Sequence, residues 1–434
     1  MTKRRQKQKP IQDAQRSSRY EFAWLAVIIL AHIIFGAIYI AHTPFGTAPD
    51  EGVHAKYVQE LVDNRAFLVF DPVHLNNYEA HQPPLYYVLG VPFYLVGKAL
   101  GMLDPGWAVR FLSLLIGAFC VVFIYLAVKS AFPEEKILPL TCAGFAALLP
   151  THAMLSSSVS NDILTELVFI LFLYAAARIM VTGPTWKLTG ALGLILGIGL
   201  LTKTTCIVLF PVAALVYALV WQRKALNTKS ALEHMGIAFL ISLVIGGWWC
   251  VRNQMLYGDP FAMSQFEKAF QFTAKPDYWF QRGWTPGPYL VLVTTWTFCS
   301  FWGVFGHMQV WMPIWIYAGA GIITILAVIR AIPGFLGLRN SNSTNRDILL
   351  VYAAVFALVL LTFVKFNMVF FQAQGRYFYP ALVPIALCWT VGISRLLPAK
   401  IRHLTPYVAV GIPFVAQILA VMTRIIPVMP YYHI

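Results

Sequence analysis

The chain has 434 residues, of which 59% are apolar and 12% are charged, and its mean hydropathy is +0.67. Soluble domains carry roughly 25% charged residues, so this composition excludes a soluble globular enzyme, a disordered scaffold and a coiled coil. Apolar runs of about 20 residues recur along the chain, which is the length that crosses a hydrocarbon core of ~30 Å. The sequence therefore predicts an all-α, polytopic membrane protein.

The chain carries 32 lysine and arginine residues against 18 acidic residues, a net charge of +14. Much of this excess lies in the N-terminal tail, residues 1–21, and in short loops between apolar runs. Basic residues in these places indicate cytoplasmic loops and attraction to anionic lipid. We therefore expect a cell or inner membrane protein with a cytoplasmic N-terminus, the lipid bilayer as a partner, and no nucleic-acid partner.

About eleven spanning helices are predicted within a transmembrane domain that covers residues 22–424. They lie at about 22–41, 107–128, 137–150, 162–181, 188–203, 205–221, 235–251, 313–330, 348–366, 377–396 and 405–424, and a short tail, 425–434, follows.

Two further apolar stretches, 85–101 and 288–305, are ambiguous by length. If either one spanned, basic loops such as those around Arg223 and Arg330 would fall outside, against the positive-inside rule. Prolines at the start of both stretches also suit a broken entry into the membrane. We therefore predict that both are juxtamembrane or re-entrant helices.

With this topology, the polar segments of the chain gather on the extracytoplasmic side. They are the first outer loop, 42–84, the turn before Asp162, the span end at Lys203, the second outer loop, 252–312, and Gln372–Arg376. The arrangement predicts one outward-facing polar site.

The first outer loop begins with Pro49, Asp50 and Glu51, directly after the first span. At helical spacing, Asp50, His54 and Tyr57 share one face. Carboxylates in a first helical turn can simply stabilise the helix N-terminus. Acidic residues at a membrane boundary are nevertheless costly unless they are paired or functional, so both readings stay open.

The same loop ends with Glu79, His81 and Gln82, followed by two prolines and an apolar helix. The prolines are explained by a turn into the bilayer. That turn does not explain an acid and a histidine beside the membrane, which makes this segment a second candidate for the site.

The six cysteines all lie inside apolar runs and lack the paired spacing of metal or disulfide frameworks. We read them as small buried hydrophobic residues rather than ligands. His152 is expected to be an interfacial or hydrogen-bonded residue.

Several motifs, taken together and in order, resemble the GT-C superfamily of membrane glycosyltransferases, which includes protein O-mannosyltransferases, the lipid A aminoarabinose transferase and oligosaccharyltransferases. The resemblance covers about residues 20–400. The motifs are Asp50-Glu51, His81-Gln82-Pro83-Pro84-Leu85-Tyr86-Tyr87, Ser160-Asn161-Asp162, Gly199-Leu200-Leu201-Thr202-Lys203, Trp248-Trp249-Cys250-Val251-Arg252-Asn253, Tyr257-Gly258-Asp259-Pro260 and Gln374-Gly375-Arg376-Tyr377-Phe378-Tyr379-Pro380.

The resemblance implies a GT-C fold and a sugar donor carried on a polyprenyl phosphate or pyrophosphate. It implies that the catalytic acid of the first loop is Asp50, with Glu51 beside it, that the second acidic site is Asp162, and that Arg376 binds the lipid phosphate. Metal-dependent members often carry two acids where this chain has Asn161-Asp162. A divalent metal (Mg²⁺ or Mn²⁺) is therefore not clearly required, and Asp50 and Asp162 would hold one if it binds.

The residues themselves suggest the same chemistry. A phosphate leaving group needs no general acid, unlike a glycoside, so one carboxylate can serve as base. Asp50 is the expected base, with Glu79 as helper or competitor. Arg376, Arg252 and Lys203 are the available phosphate clamps, although span-end cations also snorkel to lipid headgroups.

Further substrate contacts are expected from Tyr57, His54, His81, Gln82 and Tyr377. A metal held by His54, His74 and His81 with Asp50 and Glu79 is an alternative without a recognisable ligand spacing.

The sequence thus predicts an inverting glycosyltransferase that moves a sugar from a polyprenyl-phosphate donor to a hydroxyl or amine of a lipid, polysaccharide or protein acceptor. The alternative is a non-enzymatic flippase or transporter of a lipid-linked sugar. Transporters tend to have internal repeats and midplane polar residues, and the sequence has neither.

Overall fold

The computed structural model describes residues 3–73 and 75–432 and is helical almost throughout. Its α-helices, in chain order, are α1 (Lys3–His42), α2 (Glu51–Asn64), α3 (Leu85–Ala99), α4 (Arg110–Ala131), α5 (Leu138–Ala147), α6 (Pro150–Ser156), α7 (Asp162–Thr182), α8 (Trp186–Leu200), α9 (Leu209–Gln222), α10 (Thr228–Ser242), α11 (Trp248–Tyr257), α12 (Met263–Ala269), α13 (Pro276–Phe280), α14 (Pro286–Gly303), α15 (Ile314–Ser341), α16 (Ser343–Val369), α17 (Leu382–Leu396) and α18 (Thr405–Ala420).

Short 3-10 or π turns extend several of these helices, and two of them matter for the site. The segment Leu75–His81 is a 3-10 helix in the first outer loop, and Gly375–Ala381 is a 3-10 turn that leads into α17. Among the described residues, the strands are β1 (Val304–Phe305) and β2 (Val310–Trp311), which pair in an antiparallel hairpin after α14.

The described residues contain nine helices that are long and apolar enough to cross a membrane, or ten if one bent pair counts as a span. They are Tyr20–His42, Pro105–Ala131, Asp162–Thr182, Thr204–Gln222, Thr228–Tyr257, Ile314–Gly337, Ser343–Val369, Gly375–Leu396 and Ala399–Tyr431. This confirms the prediction of an all-α, polytopic membrane protein, but it does not confirm a count of eleven spans.

One difference from the predicted spans lies at 137–150, which is not one straight helix. Helices α5 and α6 meet at an angle of 68°. Leu149, which precedes Pro150, has an extended backbone (φ −70°, ψ 128°). The residue before a proline is disfavoured in the helical conformation, so Pro150 ends one helix and begins the next.

The other difference lies at 188–203, where α8 has only 15 residues. A helix of that length is about 23 Å long, yet α8 returns the chain from the end of α7 to Lys203, which pairs with Asp162 at the start of α7. Helix α3 also has 15 residues, so its length does not decide whether it spans. The expectation that 85–101 is juxtamembrane or re-entrant stays a prediction.

The fold brings several helix ends to one end of the bundle. The loop after α1, the start of α7, the turn after α8 and the 3-10 turn before α17 contact one another there, through the ion pairs described below. The side chains of the predicted basic tail up to Arg19, and His74, lie outside the described residues.

Candidate active site

Four charged side chains from distant parts of the chain form a cluster at this end of the bundle. Arg376 donates from Nη2 to Asp50 Oδ2 at 2.6 Å, and its Nη1 lies 3.3 Å from Asp162 Oδ2. Lys203 donates from Nζ to Asp162 Oδ1. We call Asp50, Asp162, Lys203 and Arg376 the charge cluster. Two carboxylates and two cations balance, so the cluster is neutral as a whole.

Asp50 occupies an unusual backbone position at the head of α2. Its φ is 62° and its ψ 4°, in the left-handed region, which aspartate tolerates better than most residues. The Tyr78 hydroxyl donates to Asp50 Oδ1 at 2.8 Å. Burial by itself raises the pKa of Asp50, but Arg376 and the hydrogen bonds outweigh it and hold the pKa below its ordinary value. Asp50 is therefore an ionised carboxylate with both oxygens engaged.

The loop that carries Asp50 is fixed by a fully buried ion pair between Glu51 and Arg110. Arg110 donates from Nε and Nη2 to the two oxygens of Glu51, each at 2.7 Å, and both side chains have no exposed surface. Its Nη1 also donates to the carbonyl of Thr43 at 2.7 Å. Glu51 in turn accepts the backbone N–H groups of Gly46 and Val159. Glu51 thus faces away from the charge cluster and links the loop to α4.

Arg376 is held against α14 by the glycine that precedes it. The Gly375 N–H donates to Ser300 Oγ at 2.7 Å. A Cβ on Gly375 would lie 2.2 Å from the backbone nitrogen of Phe301, so only glycine fits this close approach. The Arg376 Nε is buried and, among the described residues, has no hydrogen-bond partner. One donor of the guanidinium therefore remains open.

Lys203 follows the short helix α8 and lies 16% exposed beside Asp162. Burial disfavours its charged form, but Asp162 outweighs burial and raises the pKa of Lys203 above its ordinary value. Asp162 is the first residue of α7, where the helix dipole favours a negative charge. Both residues are therefore held in their charged forms.

Glu79 and His54 form a second layer next to Asp50. His54 Nδ1 lies 3.8 Å from Glu79 Oε2 and 2.9 Å from the Tyr87 hydroxyl. Burial raises the pKa of Glu79 above its ordinary value, and burial likewise lowers the pKa of His54. Both shifts favour the neutral forms, in contrast to Asp50.

The remaining predicted residues lie around the cluster or away from it. Tyr57 stacks on Tyr87, with ring centres 3.8 Å apart, and Gln82 Oε1 accepts from Asn161 at 3.4 Å. Tyr377 lies beside its neighbour Arg376, whose guanidinium carbon is 5.3 Å from the ring centre.

Two predicted residues contact other parts of the fold. Arg252 donates to the carbonyl of Leu68 at 2.6 Å and lies over Trp249, so it fixes the first outer loop instead of joining the charge cluster. His81 donates from Nδ1 to the Tyr78 carbonyl at 2.6 Å and packs against Phe266. Burial lowers the pKa of His81 to about 4.

The geometry also bears on the predicted metal pair, Asp50 and Asp162. The guanidinium of Arg376 lies between these two carboxylates, and Lys203 neutralises the second. Asp50, His54 and Glu79 do bring ligand atoms within 4.8 Å of one another. Both Asp50 oxygens, however, already accept hydrogen bonds. The donor set therefore does not fit a resident divalent ion.

Sequence reasoning missed two residues that shape the site. Tyr78, which donates to Asp50, gave no signal beyond its place next to Glu79. Arg110 opens an apolar span, and an arginine in that position is costly without a partner. That cost was a usable sign that a buried carboxylate lies opposite Arg110.

A long apolar cavity of about 1110 Å³ lies among α14, α15, α16 and α17. Phe378, two residues after Arg376, lines it, and so does one face of α16. The α16 residues include Arg346, Leu349, Ala353, Phe356, Leu360 and Asn367. From Arg346 to Asn367 this face runs about 32 Å, the thickness of a hydrocarbon core.

The chain is similar in sequence to known membrane glycosyltransferases. The family of dolichyl-phosphate-mannose-protein mannosyltransferases matches residues 82–249. An undecaprenyl phosphate-alpha-4-amino-4-deoxy-L-arabinose arabinosyl transferase of Shewanella sediminis is 24% identical over 366 residues, which are 82% of this chain and 57% of that protein. The chain thus spans little more than half the length of this curated relative.

Two solved structures are similar in fold. ArnT from Cupriavidus metallidurans, bound to undecaprenyl phosphate, has a TM-score of 0.53 and 15% identity over 94% of this chain and 74% of its own. The oligosaccharyltransferase AglB from Archaeoglobus fulgidus, with an inhibitory peptide and a dolichol-phosphate, has a TM-score of 0.57 and 12% identity over 92% of this chain and 55% of its own. With the sequence matches, these structures show that the chain has the GT-C fold of membrane glycosyltransferases.

Proposed function

We propose that this protein transfers a sugar, with inversion, from a polyprenyl-phosphate donor to an acceptor hydroxyl or amine on the extracytoplasmic side. The observation that carries the proposal is the position of Arg376. Its guanidinium is buried, has an open Nε donor and contacts Asp50, and Phe378, two residues later, lines the apolar cavity. A polyprenyl-phosphate sugar has a matching part for each: the phosphate for the guanidinium, the sugar for Asp50 and the apolar chain for the cavity.

The proposed reaction is a direct displacement. The acceptor oxygen or nitrogen attacks the anomeric carbon, the bond from that carbon to the phosphate oxygen breaks, and Asp50 takes the acceptor's proton. The polyprenyl phosphate leaves with the bonding electron pair, and Arg376 and Lys203 stabilise its charge. No covalent intermediate is formed, so the configuration inverts.

Donor binding also provides a way to activate Asp50. In the structure Arg376 holds this carboxylate ionised but weakly basic, since the pKa of Asp50 is lowered. A phosphate that binds the guanidinium competes with Asp50 for Nη2. As the arginine turns to the phosphate, Asp50 loses a hydrogen bond and becomes a stronger base.

The apolar cavity is the proposed binding site of the polyprenyl chain. Its wall on α16 covers about 32 Å and is interrupted by few polar groups. Burial of the tail along this wall would supply much of the binding free energy, because apolar surface contributes roughly 25 cal/mol per Å². The phosphate would then be fixed at the cluster by charge.

Basic residues near the C-terminal end of α7 support the proposal that the charge cluster lies on the extracytoplasmic side. Asp162 begins this helix, whereas Arg223, near its other end, donates to the carbonyl of Met180 at 3.2 Å. Arg223 also lies 3.2 Å from Asp347, next to Arg346. The basic loops and the charge cluster thus lie about 27 Å apart along α7, and the positive-inside rule assigns the basic end to the cytoplasm.

A smaller polar cavity suits the acceptor. It has a volume of about 360 Å³ and lies against the 3-10 helix that carries Tyr78 and Glu79. Its lining includes Glu60, Asn64 and Asn77. Carboxylate and amide groups accept hydrogen bonds from hydroxyls and amines, which are the groups that the reaction requires.

The test uses the purified full chain in detergent, a panel of polyprenyl-phosphate pentoses and hexoses, and a membrane extract as acceptor source. Release of polyprenyl phosphate is measured, since it reports transfer whatever the acceptor is. We expect release from at least one donor and loss of more than about 100-fold in Asp50→Asn. Binding of undecaprenyl phosphate, measured by thermal shift, should survive in Asp50→Asn and weaken in Arg376→Gln.

The same assay separates the enzyme from a flippase. Detergent leaves no compartments, so transport cannot register, and only bond cleavage produces polyprenyl phosphate. Asp50→Asn with unchanged release would remove Asp50 from the mechanism. Binding of undecaprenyl phosphate without release from any donor would favour the flippase.

A further inference from the structure

A second polar cluster lies inside the helices, one turn along α7 from Asp162. It consists of Cys120 in α4, His152 in α6 and Glu166 in α7, all fully buried. His152 Nε2 lies 3.0 Å from Glu166 Oε1. The thiol sulfur, an imidazole nitrogen and a carboxylate oxygen all lie within 4.8 Å of one another. The proposed glycosyl transfer uses none of these groups.

This cluster has unsatisfied polar atoms. Apart from the 3.0 Å contact, Glu166 Oε2 and His152 Nδ1 have no hydrogen-bond partner among the described residues. His32 of α1 has its ring centre 4.8 Å from that of His152, and its Nε2 is likewise buried and unpartnered. A buried donor or acceptor without a partner costs about 1–3 kcal/mol. A bound ligand would remove this cost at several atoms together.

We propose that Cys120, His152 and Glu166 bind a zinc ion, with His32 as the fourth ligand. Sulfur, imidazole and carboxylate are the ligand types that Zn²⁺ takes in proteins. A thiolate and a carboxylate cancel the double charge of the ion, so the loaded site is neutral and suits an apolar interior.

The geometry requires only a small adjustment. Zinc bonds of 2.0–2.3 Å in a tetrahedron separate the ligand atoms by roughly 3.5 Å, so the longest separations among the atoms of Cys120, His152 and Glu166 must shorten by about 1 Å. His32, whose ring centre lies 4.8 Å from that of His152, would turn its Nε2 towards the ion. Binding releases the thiol proton of Cys120 and the carboxyl proton of Glu166 wherever these are present. The zinc ion changes no oxidation state.

The positions of the four ligands indicate what a zinc ion would do. Its ligands come from α1, α4, α6 and α7. Glu166 lies four residues after Asp162. Tyr379 lies three residues after Arg376, and its ring is parallel to that of His152, with centres 6.1 Å apart. A zinc ion would therefore fix the helix that begins at Asp162 and the turn that carries Arg376. This structural role does not depend on the identity of the donor or acceptor.

The test begins with the metal-free wild-type chain, prepared with a strong chelator in detergent. Zinc chloride is titrated and the bound metal is counted by mass spectrometry. Cobalt chloride serves as a second probe, because thiolate ligation produces a sulfur-to-cobalt charge-transfer absorption. We expect about one equivalent of zinc per chain, a raised melting temperature and the cobalt–thiolate absorption.

Variants identify the ligands. Cys120→Ser should abolish the charge-transfer absorption, whereas Cys142→Ser, at another fully buried cysteine, should leave it unchanged. Glu166→Gln should weaken zinc binding by more than about 10-fold, the loss that follows removal of even an outer-shell partner.

Wild-type chain that binds no zinc and gives no cobalt–thiolate absorption overturns the proposal, and this result does not depend on whether any variant folds. Zinc binding that Cys120→Ser and Glu166→Gln both leave intact also overturns it. In either case the buried pair is a neutral hydrogen bond between Glu166 and His152.

Discussion

Replacement of Glu51 by glutamine should damage the fold more than the chemistry. The structure joins Glu51 to Arg110 through two hydrogen bonds of 2.7 Å, with neither side chain exposed. The glutamine keeps the size of the side chain but turns an N–H₂ group towards the arginine in place of an oxygen. Arg110 is then left as a buried charge without its counter-ion.

The magnitude follows from the contacts that are lost. The glutamine carbonyl can still accept one hydrogen bond from Arg110, so one hydrogen bond to a charged group is lost, which is about 1.5–3 kcal/mol. Loss of the counter-ion adds to this, and breaking a buried ion pair by removing one partner costs about 3–5 kcal/mol in all. A double variant, Glu51→Met with Arg110→Met, should recover part of this loss, because it leaves no buried charge.

The assay is thermal unfolding in detergent, followed by tryptophan fluorescence, alongside polyprenyl phosphate release measured well below the melting temperature. The matched control is Glu233→Gln, whose partner Lys229 is 3.9 Å away and largely exposed; a surface pair of this kind contributes about 0.2–1 kcal/mol. If Glu51→Gln melts like the control yet loses transfer, Glu51 acts in catalysis and the positioning role is wrong.

Three further predictions concern the cavity, the second layer and the glycine at the cluster. Ala353→Trp, in the cavity wall, should weaken binding of undecaprenyl phosphate at least about 10-fold but spare geranyl phosphate. Leu361→Trp, at an exposed position of the same helix outside the cavity lining, should change neither, and equal loss for both lipids in Ala353→Trp would place the polyprenyl chain elsewhere. Burial raises the pKa of Glu79, so the stability that neutral Glu79 contributes is complete below the ordinary carboxyl pKa and is lost as pH rises through the raised value. The melting temperature of Glu79→Gln relative to wild type should therefore increase from pH 5 to 8. A difference that stays constant with pH would contradict the raised pKa. Gly375→Ala should destabilise the chain by about 1–3 kcal/mol, since its Cβ would meet backbone, and an unchanged melting temperature would show that the turn can move.

The sequence was sufficient for the class of protein and for most of the polar residues of the site. Composition and apolar runs predict a membrane protein because burial in lipid imposes a length and an absence of charge on each span. The cost of charge at a membrane boundary likewise marked Asp50, Lys203 and Arg376 as residues that need partners, whereas Asp162 came from the resemblance to the GT-C superfamily. Span boundaries were less certain, as the break at Pro150 illustrates, because a proline that begins a helix leaves the apolar run uninterrupted.

Only the tertiary structure decided which charge meets which. Asp50 and Glu51 are neighbours in sequence, yet Asp50 contacts Arg376, 326 residues away, and Glu51 contacts Arg110. Asp50 has a left-handed backbone just before the helix, and Glu51 is the first helical residue, so one side chain faces the site while the other faces the core. Arg252 has the same chemistry as Arg376, but its helix carries it to the carbonyl of Leu68. The sequence specifies that each buried charge must be paired, and the packing of the helices chooses the partner.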